Sequence, residues 1–156
     1  MNVGRRVDYA IRALAYLAGQ EQGRLVRRSE IELRQGVPRH FLSKILRSLV
    51  AIGYLESVAG ARGGFRLNRP ASEITFLQVY ECFEGKLCLV ECLRDSGACS
   101  FVSVCSQIKI WKIARMKLFD YLDSVSIADV ADTVGLDSRQ CRETDAVLPV
   151  KGAVGA

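Results

Sequence analysis

The stretch GVPRHFLSKILRSL, residues 36–49, limits the fold more than any other part of the chain. Phe41, Leu42, Ile45, Leu46 and Leu49 recur at helical spacing and form one apolar stripe, so this segment must lie on a core. Its other face carries Arg39, His40, Ser43, Lys44 and Arg47 with no acidic residue among them. Just upstream, Ser29-Glu30-Ile31-Glu32 has the form of a capping box and predicts a short helix that stops at Gly36. Pro38 suits the first turn of the next helix, which runs to about Ile52, with Gly53 supplying a left-handed close. Residues 29–52 therefore read as helix, tight turn, helix. In YLESVAGARGGFRLNRP, Leu55 and Val58 precede a glycine-rich turn and Phe65 and Leu67 follow it, which predicts a β-hairpin with Arg62 at its tip and Pro70 closing it.

The flanking segments are helical. Val7, Ala10, Ile11, Leu14, Leu17 and Ala18 mark an amphipathic first helix ending near Gly19. Thr75 and Gln78 form a second capping box, opening a helix that ends at Gly85. Residues 86–105 have weak periodicity and read as a loop. From roughly Ser106 to Ser124 a long helix is apolar on nearly all sides, so it must be covered on nearly all sides. In a chain of 156 residues the expected cover is a second copy. The short helix SIADVADTV follows.

The expected fold is mainly α with a small β-wing: a winged helix-turn-helix plus a long C-terminal dimerisation helix. Its parts are a DNA-binding domain over residues 1–84, a cysteine-rich loop over 85–105, a dimerisation helix with a short terminal helix over 106–135, and a disordered tail over 136–156.

Charge is split along the chain. Residues 1–70 hold 13 Lys/Arg against 5 Asp/Glu, and residues 71–156 hold 9 against 12. A basic first half of this kind suits a polyanionic partner. The N-terminal MNVGRRVDYAIRALAYL resembles a secretory leader, but Asp8 and Arg12 interrupt its apolar part, so a cytoplasmic protein is expected. No apolar run is long enough to span a bilayer. The chain offers no nucleophile paired with a base, no phosphate loop and no substrate motif, so neither an enzyme nor a small organic substrate is expected.

In a winged helix-turn-helix the cationic helix enters the major groove, which would give Arg39, His40, Ser43, Lys44 and Arg47 access to base edges and phosphates. The wing would place Arg62 beside the minor groove or backbone, with Gly63 and Gly64 letting the main chain come close. Arg5, Arg6, Arg27, Arg28 and Lys44 would add phosphate contacts without sequence preference.

Five of the six cysteines fall within 24 residues, and Cys92, Cys99 and Cys105 follow the pattern C-x6-C-x5-C. That spacing is too long for zinc knuckles and suits an iron–sulfur cluster, which leaves a fourth ligand to be found. The alternative is that these cysteines are small buried hydrophobes, which is the reading for Cys82 on the apolar face of its helix. Cys88 is open to either role, and Cys141 in the tail to neither. Asp8 suits the free N–H groups and dipole at a helix start.

The opening RRVDYAIRAL, the run HFLSKILRSLVAIGYLESVAGARGGFRLNRPASEIT, the three cysteines and the late SIADV resemble the Rrf-two family of bacterial winged-helix regulators over about residues 1–132. The resemblance implies a homodimer crossed by the long helices, palindromic operator DNA and, in cluster-bearing members, iron held by three cysteines that match Cys92, Cys99 and Cys105. Members that regulate iron–sulfur assembly add a histidine three residues past the third cysteine, where this chain has Ile108. Members that sense nitric oxide use an aspartate in the first helix of the other subunit, and Asp8 stands at that place. The resemblance through Asp8 leans toward a 4Fe–4S over a 2Fe–2S cluster, with Cys88 as the rival fourth ligand. The expected function is a dimeric repressor whose operator binding follows a cluster sensing iron supply, nitric oxide or redox state. Its alternatives are a cluster-free winged-helix repressor regulated by thiol oxidation or a partner protein, and a small iron–sulfur redox protein.

Overall fold

A computed structural model describes residues 3–134. The expected disordered tail from residue 136 and Cys141 lie outside the described residues. Helix α1 (Arg5–Ala18) is the centre of the core. Its apolar residues surround most of the helix, and Val7, Ala10, Ala13 and Leu14 have no exposed surface. Against it pack α2 (Arg28–Gln35), α3 (Arg39–Ala51), α4 (Phe76–Glu84) and α6 (Ile127–Val134). The predicted stripe on α3 is the stripe that is buried: Leu42, Ile45, Leu46 and Leu49 are inside, and Phe41 is half-buried against the Tyr9 ring of α1.

Turn chemistry sets the angle between α2 and α3. Gly36 adopts a left-handed conformation, φ +61°, which ends α2 at no steric cost. Pro38 stands one residue earlier than expected, as the extended residue before α3, and its carbonyl accepts from the N–H groups of Phe41 and Leu42. At the other end of α3 the Tyr54 N–H reaches the Leu49 carbonyl and the Gly53 N–H the Val50 carbonyl, with Gly53 at φ +81°. These two bonds make a Schellman close that aims the chain into the wing.

The wing pairs β1 (Leu55–Val58) with β2 (Gly64–Leu67) antiparallel, Leu55 opposite Leu67 and Val58 opposite Gly64. Val26 adds a further rung, outside the two strands, by exchanging both backbone hydrogen bonds with Phe65 at 2.9 Å. This rung corrects one sequence expectation. It holds the chain extended up to Arg27, which becomes the residue capping α2, so Ser29 falls inside the first turn and the Ser29–Glu32 box does not form. The rung also explains Gly64, since a Cβ there would stand 2.6 Å from the Val26 carbonyl oxygen, while one on Gly63 would stand 2.1 Å from that of Val58. Both glycines make room for the wing's own backbone.

The Thr75–Gln78 capping box forms as the sequence predicts. After α4 the loop runs through single 3-10 turns at Glu91–Leu93, Ser96–Ala98 and Val102–Val104. Helix α5 (Ile108–Ser124) has no buried residue, and Ile110, Ile113 and Met116 are each more than half exposed. Its end is pinned to the start of α4: the Phe76 N–H meets the Val125 carbonyl and the Ile127 N–H the Ile74 carbonyl, both at 2.8 Å, and Thr75 Oγ1 donates to Asp123 Oδ1. Helix α6 then returns to α1, burying Ile127 completely. Among the described residues no helix is long and apolar enough to cross a membrane.

Cys82 departs from expectation: it is exposed, and its thiol stands beside the Tyr54 hydroxyl. Burial, and then the Cys82 thiol, push Tyr54 up to about 12, against the opposing pull of Arg69, whose guanidinium lies 5.7 Å from the ring centroid. An unfolded tyrosine ionises near pH 10. From there to about pH 12 the folded state holds a proton that the unfolded state has lost, so stability falls as pH rises through this window. Denaturant unfolding of Tyr54→Phe should show a shallower alkaline fall than the wild type. Equal slopes would remove Tyr54 as a source.

Candidate nucleic-acid interface and cysteine loop

Arg39, His40, Lys44 and Arg47 are exposed together on one face of α3, and Arg62 is exposed at the tip of the wing. Burying the apolar stripe against α1 turns this face outward, so packing and presentation are one event. The His40 ring rests on Phe41, centroids 4.4 Å apart, and Phe41 meets Tyr9 edge-on at 5.8 Å. Ser43 is half-buried; it donates to the Arg39 carbonyl at 2.9 Å and accepts from Arg28 Nη1 at 3.2 Å. Arg28 therefore stands between α2 and α3, beside the cationic face. Arg27 Nη2 donates to the Ala61 carbonyl in the wing turn at 3.0 Å, a tie between α2 and the wing.

The remaining predicted phosphate ligands lie on α1. Arg5 is exposed, and Arg6 Nη2 donates to the Phe83 carbonyl at the end of α4. The structure thus brings together α2, α3 and the wing, and leaves Arg5 and Arg6 on a separate element. A cleft of about 540 Å³ separates α3 from the wing, and Ser29 and Ser57 line it beside Arg28 and Arg47. Sequence reasoning missed both serines. The faint signal for Ser57 was its place two residues after Leu55, on one face of a strand.

The cysteine loop presents a different picture. Cys88, Cys92 and Cys105 are half-buried and Cys99 is exposed. The Cys88 thiol donates to the Val90 carbonyl. Asp8 lies on α1, its Oδ1 accepting from Arg12 Nε at 3.0 Å. Three thiolates are the soft donors that an iron–sulfur centre takes, and a loop of single turns is easily reshaped around one. Among the described residues no three of His, Cys, Asp and Glu converge as metal ligands. The donor chemistry fits a cluster, then, while the loop of one chain does not gather its donors unaided.

Comparison with known proteins points the same way as the cationic face. The family described as "Rrf2: Iron-dependent Transcriptional regulator" matches residues 3–133. An HTH-type transcriptional regulator of Mycobacterium tuberculosis is 31% identical over 134 residues, covering 84% of this chain and 81% of its own. Among solved structures, CymR, the global cysteine regulator of B. subtilis, superposes with a TM-score of 0.69 at 23% identity, over 85% of this chain and 97% of its own. IscR of T. potens superposes with a TM-score of 0.65 at 24% identity, over 86% and 88%.

Lys44→Ala should weaken binding to every duplex by a similar factor and flatten the dependence on salt. Arg39→Ala should relax base preference at one position of each half-site. Titrations against a selected duplex and a random one, at several salt concentrations, separate the two. Equal losses on both duplexes for Arg39→Ala would end its assignment as a base reader.

Proposed function

The chain belongs to the Rrf2 family of transcriptional regulators, and from that premise we propose that two copies of it grip a palindromic operator and repress transcription, under the control of the cysteine-bearing loop. The observation that carries the DNA reading is the cationic face of α3 joined to a basic wing on one side of the molecule. Half-sites about one helical turn apart would receive the two recognition helices of a dimer.

The proposed seam of the dimer is α5. Its Ile110, Trp111, Ile113, Met116 and Phe119 are exposed in the single chain. Burying such a side chain from full exposure is worth roughly 1.5–3 kcal/mol, and these, already partly covered, would each gain about half of that. A second α5 offers the same apolar surface in return, as a two-fold interface requires.

The loop between α4 and α5 is the proposed sensor. Cys92, Cys99 and Cys105 would hold an iron–sulfur cluster, with Asp8 of the partner subunit or Cys88 completing it. When bound, the cluster supplies iron that nitric oxide, oxidants or iron scarcity can alter. The chain's own residues would turn that change into a movement. The loop joins α4 to α5, while α5 is fixed at its far end to Thr75 and carries the partner. Reordering the loop would therefore change the spacing of the two α3 helices. A gap of about 3 kcal/mol between the two arrangements would change operator affinity by about 150-fold.

A second reading has its own support. Because the three cysteines do not converge within one chain, a cluster-free repressor that senses by thiol oxidation would need no further assembly. Material purified without oxygen distinguishes the two readings. A cluster gives a brown protein with iron and acid-labile sulfide, and holo and apo forms should differ in gel-shift affinity. Colourless, iron-free protein, or equal affinity in the two forms, would favour the thiol reading. For the seam, Ile113→Glu should turn the dimer into a monomer in sedimentation velocity while leaving the helical content unchanged. A persistent dimer would move the interface elsewhere.

A further inference from the structure

The cleft between α3 and the wing is built from four elements, α2, α3, β1 and β2, and lined without any carboxylate. Arg28 and Ser29 come from the first turn of α2, Ser43 and Arg47 from α3, and Ser57 from β1, while Val50 and Phe65 form its apolar floor. The first turn of a helix also points N–H groups outward that no helical carbonyl can meet. Arg28, Arg47, Ser29 and Ser57 on the walls are all groups that can donate to an anion.

The hydrogen bonds of Ser43 decide how the cleft works. A serine hydroxyl has one proton, and that of Ser43 goes to the Arg39 carbonyl. Its lone pair receives Arg28 Nη1. In this arrangement Ser43 has no proton left to offer a base edge, and it is half-buried beside the exposed Lys44 and Arg47. Arg28 is held on the wall of the cleft with other guanidinium N–H groups still to direct, a fork that matches a phosphate.

We propose that this cleft is the seat of a single DNA backbone phosphate, on the strand that divides the groove read by α3 from the groove met by the wing. Ser43 is then a positioning residue that locks Arg28 over that phosphate, in place of the base reader that its position in the sequence suggested. The inference rests on the DNA-binding reading and adds the element that sets the wing and α3 in register on one strand.

The test uses the full-length protein and a duplex selected from a random library. Phosphates of one half-site are replaced singly by neutral methylphosphonates, for the wild type and for Arg28→Gln. One position should cost the wild type about tenfold, the value of one charge-assisted hydrogen bond, and cost Arg28→Gln far less, because the two changes remove the same contact. Ser43→Ala and, from the opposite wall, Ser57→Ala should lower affinity for selected and random duplexes by the same factor, with base preference unchanged. Strictly additive losses at every phosphate would overturn the seat while leaving DNA binding intact. A changed base preference for Ser43→Ala would return that residue to base reading. If the library yields no bound duplex, the DNA reading itself fails and the seat with it.

Discussion

The burial of α1 is the constraint on which the rest of the structure depends. A helix whose surface is apolar through most of its circumference cannot rest against one neighbour, so α2, α3, α4 and α6 close around it, and α6 is drawn back from beyond α5 to complete the enclosure. The orientation of α3 follows from this. Its apolar stripe is buried against α1 with help from α2 and β1, which leaves Arg39, His40, Lys44 and Arg47 facing outward. The cationic surface proposed to meet DNA is thus a by-product of core packing, and needs no ordering cost beyond that of the fold.

Two short backbone contacts fix what the core leaves free. The Val26–Phe65 rung ties the start of α2 to the wing, and Arg27 adds a second tie at Ala61. As a result the start of α2 is joined to the wing at two points, and a cleft is kept between α3 and the hairpin. The second contact, Thr75 with Ser126, clamps the end of α5 to the beginning of α4. Helix α5 carries the exposed apolar surface, so this clamp fixes the direction in which that surface is held relative to α4. Between the two ends of the α4–α5 connection lies the cysteine loop, whose single turns are the least regular backbone among the described residues.

Much of this was legible from the residues. Helical periodicity located α1, α3, α4 and α5, because burial selects apolar side chains at fixed intervals. The Thr75–Gln78 box was read correctly because both of its hydrogen bonds close within four residues. The Ser29–Glu32 box has the same local form and did not form, because the Val26 rung with Phe65, 39 positions further along the chain, puts the helix cap at Arg27 and the helix start at Arg28. Gly63 and Gly64 were read as places where the main chain could come close to DNA; within the fold they stand against the backbone of Val58 and Val26, an approach that depends on a residue far from them in the chain. Cys82 stands on its helix as the pattern predicts, but the neighbouring elements leave it exposed beside Tyr54 instead of enclosed.

The sequence by itself determined which segments are helices, which faces are apolar and where cationic and thiol groups are concentrated, since these are properties of neighbours a few positions apart. Tertiary structure decided what those groups do for one another: that Ser43 holds Arg28, that Ser57 faces Arg47 across a cleft, and that three cysteines on one loop stay apart in one chain. Such relations depend on distances between residues far apart in the chain, and these distances are fixed only once the elements have closed around α1.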